Sequence, residues 1–67
     1  MDTIDVEGTI RLGQFLQLAQ LADSGAHARE LIADGEVRVN GEVESRRGRQ
    51  LRSGDVIEVG RIQLQVA

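Results

Sequence analysis

Within residues 11–41 the spacing of apolar residues changes from helical to strand-like, which restricts the chain to folds that join short helices directly to strands. Ser24 is a good N-cap for the second of two helices, and Gly35 suits the left-handed position after its C-terminus. We therefore predict a second helix over residues 25–34, and Thr9 is a candidate N-cap for the first. The two helical stripes, at intervals of three and four, are Leu12, Phe15, Leu16 and Ala19, and then Ala28, Leu31 and Ile32.

After the second helix, apolar and polar residues alternate with the period of a strand. Val37 and Val39 fall on one face, whereas Glu36 and Arg38 fall on the other. The dipeptide that follows, residues 40–41, is Asn-Gly, the strongest short signal of a β-hairpin. The sequence thus predicts a strand and a tight turn immediately after the helix pair.

The register of this hairpin depends on the length of its loop. A two-residue loop would place Glu42 opposite Val39 and Glu44 opposite Val37, so that carboxylates would lie on the apolar face. A three-residue loop with a glycine bulge instead places Val43 opposite Val37 and keeps the valines together. We predict the three-residue loop.

Three further segments alternate in the same way. Ile4 and Val6 are the apolar positions of a short N-terminal strand, residues 56–59 follow a turn, and residues 61–66 have one apolar and one polar face. Pairing of the first and last strands would complete the sheet. The expected fold class is α+β, with two short consecutive helices packed on a small antiparallel sheet of about four or five strands. Its predicted core is Leu12, Phe15, Leu16, Leu31, Ile32, Val37, Val43 and Ile57.

The length and composition are consistent with a single domain over residues 1–67. There is no Cys, so disulfides and thiolate chemistry do not contribute, and no apolar run approaches the roughly 20 residues of a membrane span. The first eight residues are acidic, whereas a secretory signal begins with basic residues. We expect a cytoplasmic monomer that does not act at a membrane.

The positive charge of the chain is concentrated in one stretch. The net charge is −3, yet all eight basic residues are Arg, and four of them fall in the acid-free segment SRRGRQLR, residues 45–52. Arg suits phosphate because its planar guanidinium donates two parallel hydrogen bonds. A solvated charged loop is the alternative interpretation of the same stretch.

An ordered set of residues also matches the pattern of a known family: Arg11, Leu12, Phe15, Leu16, Ser24, Ala28, Arg29, Leu31, Ile32, Gly35, Val37, Val39, Asn40, Gly41, Gly54, Asp55, Val56 and Ile57. With these residues the chain resembles the small RNA-binding domain first described in ribosomal protein S-four, the alpha-L motif, and most closely its stand-alone bacterial form. The match covers about residues 10–59. The resemblance implies binding of structured RNA, ribosomal or transfer RNA, free or within the ribosome, by the helix pair and the neighbouring strand loop.

The chain departs from this family at three positions. Many members have Arg after the capping Ser and a small polar residue next, whereas this chain has Gly25 and Ala26. Gly13 stands where an acidic residue is common after Arg-Leu. We therefore expect a less basic RNA-binding surface than in those members.

The candidate RNA-binding residues come from the helices and from the Arg-rich stretch. Ser24 is explained by capping alone, and His27 is either a contact to RNA or an exposed helical residue of no consequence. Arg29 has its nearest acids at helical spacings that do not face it, which favours a phosphate contact. The full set is Arg11, Ser24, His27, Arg29, Arg46, Arg47 and Arg49.

Catalytic and cofactor chemistry find little support in the sequence. His27 is the only histidine and Cys is absent, so the chain cannot assemble a histidine-rich metal site or a Cys-His couple. The glycines do not form a nucleotide-binding loop. With no Trp or Tyr, and Phe15 in the helical stripe, no aromatic residue is free to stack on bases. We expect a non-enzymatic protein with no cofactor, metal or small-molecule substrate.

Two other functions compete with RNA binding. A protein-interaction module would use the acidic surface or an exposed strand edge, as the net charge of −3 permits. A ubiquitin-like sulfur carrier is suggested by residues 39–41, but the Gly-Gly terminus of such carriers is missing, because the chain ends Gln65-Val66-Ala67. RNA binding is the preferred interpretation.

Overall fold

The computed structural model describes all 67 residues as two helices and seven short strands. The helices are α1 (Leu12–Leu18) and α2 (Gly25–Ala33). The strands are β1 (Asp2–Ile4), β2 (Ile10–Arg11), β3 (Val37–Val39), β4 (Glu42–Val43), β5 (Gln50–Leu51), β6 (Val56–Val59) and β7 (Ile62–Val66). Neither helix has the length and apolar character needed to cross a membrane.

Five of the strands form one sheet in the order β1-β7-β6-β3-β4, and β2 pairs with β5 in a separate two-stranded sheet. Every pairing is antiparallel except β1 with β7, which is parallel and aligns Asp2 with Leu64 and Ile4 with Val66. The predicted fold class is confirmed, and the first and last strands pair as expected, although this one pairing is parallel where an antiparallel sheet was predicted.

The core lies between the helix pair and one face of the five-stranded sheet. Leu31 is only half-buried against this core, and Val43 is 54% exposed, so the prediction that Val43 belongs to the core was wrong. The other predicted core residues are buried. The complete buried cluster is Leu12, Phe15, Leu16, Ala22, Ala28, Ile32, Val37, Val39, Leu51, Ile57, Leu64 and Val66.

The exposure of Val43 follows from the register of the β3–β4 hairpin. Val39 pairs with Glu42 and Arg38 with Val43, as a two-residue loop requires, so the predicted three-residue loop was wrong. Asn40 and Gly41 have φ values of 53° and 86°, and a left-handed conformation at both positions is the signature of a type I′ turn.

The two helices begin in different ways. Ser24 caps α2 as predicted, because its Oγ accepts a hydrogen bond of 3.0 Å from the N–H of His27. Thr9 does not cap α1, where Arg11 occupies the N-cap position and its N–H donates to Oε1 of Gln14 at 3.1 Å. The residue type at position 9 therefore did not locate the start of the helix.

Backbone carbonyls from a distant loop complete the start of α1. The N–H of Leu12 donates to the carbonyl oxygen of Arg49 at 2.8 Å, and the N–H of Gly13 donates to that of Arg47 at 3.0 Å. These amides are among the donors that a helix leaves unpaired at its N-terminus. The Arg-rich stretch is thus docked on α1, which argues against the interpretation of this stretch as a freely solvated loop.

Candidate nucleic-acid interface

The N-terminal ends of the two helices and the Arg-rich loop enclose an open groove, called here the Arg groove. Arg11 and Arg47 line it from different parts of the chain, and glycine and alanine form much of its remaining wall. A Cβ built on Gly13 would contact the carbonyl oxygen of Arg47 at 3.6 Å, so the loop lies directly against α1 at this point. The lining residues are Arg11, Gly13, Gln14, Gln17, Gly25, Ala28, Arg47 and Gly48.

Residues 44–49, called here the basic loop, are organised by an acidic residue. Oε1 and Oε2 of Glu44 accept from Nη2 and Nε of Arg46 at 3.3 and 3.2 Å, and Oε1 also accepts from Nη1 of Arg49 at 2.9 Å. The backbone N–H of Arg46 adds a bond of 3.0 Å to Oε2. Two of the three guanidinium groups of the loop are therefore held by one carboxylate.

This carboxylate is strongly acidic. Hydrogen bonds from the Arg46 side chain, with further ones from Arg49 and from the Arg46 backbone, lower the pKa of Glu44 from 4.5 to about 2, against the opposing effect of burial. The same interaction raises the pKa of the Arg46 guanidinium. At neutral pH Glu44 is therefore ionised and is paired with two cations, Arg46 and Arg49.

The seven candidate site residues fall into four groups. Arg11 and Arg47 meet in the Arg groove, whereas Arg46 and Arg49 are joined to Glu44. Arg29 is exposed on α2, makes no ion pair and is not part of the groove lining. Ser24 and His27 form the remaining group, at the start of α2.

Ser24 and His27 have local structural roles at that helix end. Nδ1 of His27 accepts a hydrogen bond of 3.0 Å from the N–H of Asp23, in addition to the bond that Ser24 accepts. Nε2 of His27 makes no hydrogen bond within the protein, and the side chain is 38% exposed. The capping explanation of Ser24 is sufficient, and only one edge of His27 remains available for a ligand.

The family model of the S4 domain matches residues 3–67, almost the whole chain. The chain belongs to the S4 domain family. The resemblance seen in the sequence is thereby confirmed.

Two relatives of this S4 domain are informative. It is 49% identical over 57 residues to a protein of Bacillus subtilis (strain 168) named as the probable ribosome maturation protein RlbA, covering 85% of this chain and 79% of that protein. It also superposes on the solution structure of YbcJ from E. coli with a TM-score of 0.74 at 31% identity, covering 98% and 86% of the two chains. YbcJ is described as having an αL motif involved in RNA binding. At the family level, this S4 domain is an RNA-binding domain.

Sequence reasoning missed the residues that complete this site. Gln14 and Gln17 lie one turn apart on the exposed side of α1 and line the groove, which their helical spacing relative to Arg11 and Gly13 would have indicated. Alternation within one strand treats Glu44 only as an unfavourable residue on an apolar face. Its position two and five residues before Arg46 and Arg49 is the sequence signal of its role.

Proposed function

We propose that this S4 domain binds structured ribosomal RNA as a monomeric, non-catalytic module in the cytoplasm, where bacterial ribosomes are assembled. The ribosome maturation relative supports the choice of ribosomal over transfer RNA, and the αL motif of YbcJ, described as involved in RNA binding, supports RNA as the ligand. The observation that carries the proposal is that Arg11 and Arg47, neither engaged by a carboxylate, line one groove.

The chemistry of the Arg groove matches that of an RNA backbone. Two guanidinium groups can each donate paired hydrogen bonds to phosphate oxygens, and the small residues Gly13, Gly25 and Gly48 leave space for a backbone to approach. The N–H groups of Gly25 and Ala26 make no hydrogen bond within the protein, and helix N-termini favour anions.

The proposed contacts are to phosphates and to shape rather than to unpaired bases. The only aromatic residue, Phe15, is completely buried, so it cannot stack on a base. Double-stranded and folded RNA is recognised mainly through its backbone and 2′-hydroxyl groups. We therefore include Arg29, Arg46 and Arg49 as surrounding positive charge, with Ser24 and His27 at the helix end as peripheral contacts.

Salt-dependent titration tests this function. Each phosphate contact releases counterions, so log Kd should rise with log salt, and removal of one contacting Arg should reduce the slope by about 1. We expect Arg11→Ala and Arg47→Ala to weaken binding to ribosomal RNA fragments at several salt concentrations, with reduced slopes. Neither change leaves Glu44 without its partners.

Arg61→Ala is the matched control, because Arg61 is exposed in the β6–β7 turn and is not part of the groove lining. It should change the affinity and the slope much less. Equal effects of all three substitutions would contradict the Arg groove as the site. Failure of the wild-type protein to bind any structured RNA at low salt would reject the proposed function and favour a protein-interaction module.

A further inference from the structure

Glu44 is the only charged residue that the fold buries, with 6% of its surface exposed. It follows β4 directly, and its backbone N–H donates to the carbonyl oxygen of Val37 at 3.0 Å, so its position is fixed by the hairpin. The side chain accepts four hydrogen bonds, three from Arg46 and one from Arg49. No buried polar side-chain atom is left without a partner.

Stability alone does not account for a carboxylate at this position. Removing a carboxylate from water is costly, and well-packed apolar replacements for a buried ion pair are often as stable or more stable. In some proteins such a pair instead fixes one conformation among several. The contacts of Glu44 indicate which conformation it fixes here.

Its two partners lie on both sides of Arg47 in the chain. Arg46 and Arg49 are held by the carboxylate, while the carbonyls of Arg47 and Arg49 are held by the first amides of α1. The basic loop is thus held to α1 through its backbone carbonyls and to Glu44 through the side chains of Arg46 and Arg49. The one guanidinium of the loop that Glu44 does not engage, that of Arg47, is the one that lines the Arg groove with Arg11.

We propose that Glu44 is a positioning residue for RNA binding, which holds Arg46 and Arg49 so that Arg47 is presented to an RNA phosphate opposite Arg11. This inference rests on the proposed function. It divides the Arg residues of the loop into two that support its conformation and one that contacts the ligand.

The sign of one substitution separates this role from a simple effect of charge. Glu44→Gln removes a negative charge beside the RNA site, so electrostatics alone would make RNA binding tighter. Loss of positioning has the opposite effect, because Arg47 is no longer fixed before binding and the complex must order it. We expect Glu44→Gln to raise the Kd for a structured ribosomal RNA fragment by about tenfold.

Glu42→Gln is the matched control. Glu42 lies in the same hairpin, is exposed and makes no ion pair, and its substitution changes the net charge by the same amount, from −3 to −2. We expect its Kd to stay within about twofold of wild type, on the tighter side. Thermal melts should establish that each variant is folded at the temperature of the titration.

Glu44→Asp provides a second test if Glu44→Gln does not fold. It keeps the charge but shortens the side chain by one methylene, so that one carboxylate can no longer reach both Arg46 and Arg49, and binding should again weaken.

In the Arg47→Ala background, Glu44→Gln should have little further effect on Kd, because the residue that Glu44 positions is absent. Hydrogen exchange at the amide of Gly13, which is bonded to the loop, should become faster in Glu44→Gln.

These outcomes separate the two proposals. If wild type binds RNA and Glu44→Gln or Glu44→Asp binds equally or more tightly, the positioning role is wrong and the proposed function stands. An equal loss with and without Arg47, or unchanged exchange at Gly13, would also refute the positioning role. If wild type binds no structured RNA, the proposed function fails, and the role of Glu44 in binding fails with it.

Discussion

At the scale of single residues, Glu44 and Phe15 are buried for different reasons. Phe15 is completely buried, and packing alone explains its position. Glu44 is buried with its charge and depends on Arg46 and Arg49 for compensation. Its contribution to stability must therefore depend on pH, whereas that of Phe15 does not.

The sign of this dependence follows from the lowered pKa. Glu44 has a pKa of about 2 in the folded state against 4.5 as its ordinary value, so its stabilising effect is fully present above pH 4.5 and is lost as the pH falls towards 2. The shift corresponds to about 3 kcal/mol at most, and solvent around the exposed Arg46 screens the pair. We expect Glu44 to contribute about 1–2 kcal/mol to the free energy of unfolding at neutral pH.

Urea denaturation of wild type and Glu44→Gln between pH 2 and pH 7 measures this contribution. The difference between the two proteins should be constant above about pH 5 and should disappear by about pH 2. Using the difference removes the effect of the other acids, which titrate in both proteins. A difference that does not change over this range would mean that the ion pairs of Glu44 do not form in solution.

The hairpin register shows where residue-level reasoning from the sequence stopped. The period-two pattern located β3 correctly, because Val37 and Val39 are both buried. The choice of loop length failed because a carboxylate on the inner face was judged only by its cost. Arg46 and Arg49 compensate the charge of Glu44 because the basic loop folds back and brings them to its carboxylate. The conformation of that loop cannot be derived from alternation within one strand.

At the scale of elements, the two helices use their N-termini differently. The first amides of α1, those of Leu12 and Gly13, are bonded to the basic loop, so this end is used to build the site. The amides of Gly25 and Ala26 at the start of α2 are not bonded within the protein. Helical periodicity predicted both helices. It could not predict that the basic loop docks on α1, because that contact joins segments far apart in the sequence.

A substitution at position 25, at the start of α2, should increase RNA binding. A Cβ built on Gly25 would meet nothing nearer than Nε2 of Gln17 at 3.9 Å, so a side chain fits there without displacing the loop. Gly25→Arg would add a third guanidinium to the Arg groove. We expect RNA affinity to rise by about three- to tenfold at about 0.1 M salt, with a slope steeper by about 1.

Ala33→Arg serves as the control for this substitution. Ala33 is exposed at the other end of α2, so the change adds the same charge to the same helix outside the groove. Its affinity should change by less than about twofold. If both variants gain equally, added charge anywhere on α2 is sufficient, and the groove has no special role.

At the scale of the whole molecule, an acidic protein is proposed to bind an anion. The net charge is −3, and judged from the sequence alone this charge favours a protein partner over RNA. The fold resolves the conflict by placing Arg11 and Arg47, which are 36 positions apart in the sequence, on one groove. The sequence and its family resemblance named both residues, but their convergence depends on the docking of the loop on α1.

Charge reversal tests whether the local arrangement or the total charge controls binding. Arg47→Glu and Arg61→Glu each lower the net charge from −3 to −5, and both residues are exposed. If the field of the whole protein determined affinity, the two variants would lose the same amount. Because exposed charges separated by more than about 8–10 Å are largely screened at physiological salt, only a charge in the groove should act strongly on a bound phosphate.

We expect Arg47→Glu to raise the Kd for structured RNA by more than about tenfold and Arg61→Glu by no more than about threefold, as measured by fluorescence anisotropy near 0.15 M salt. The difference should decrease as salt is raised, because loss of a phosphate contact makes binding by Arg47→Glu less salt-dependent than binding by Arg61→Glu. Equal losses at every salt concentration would show that the groove has no privileged role in binding.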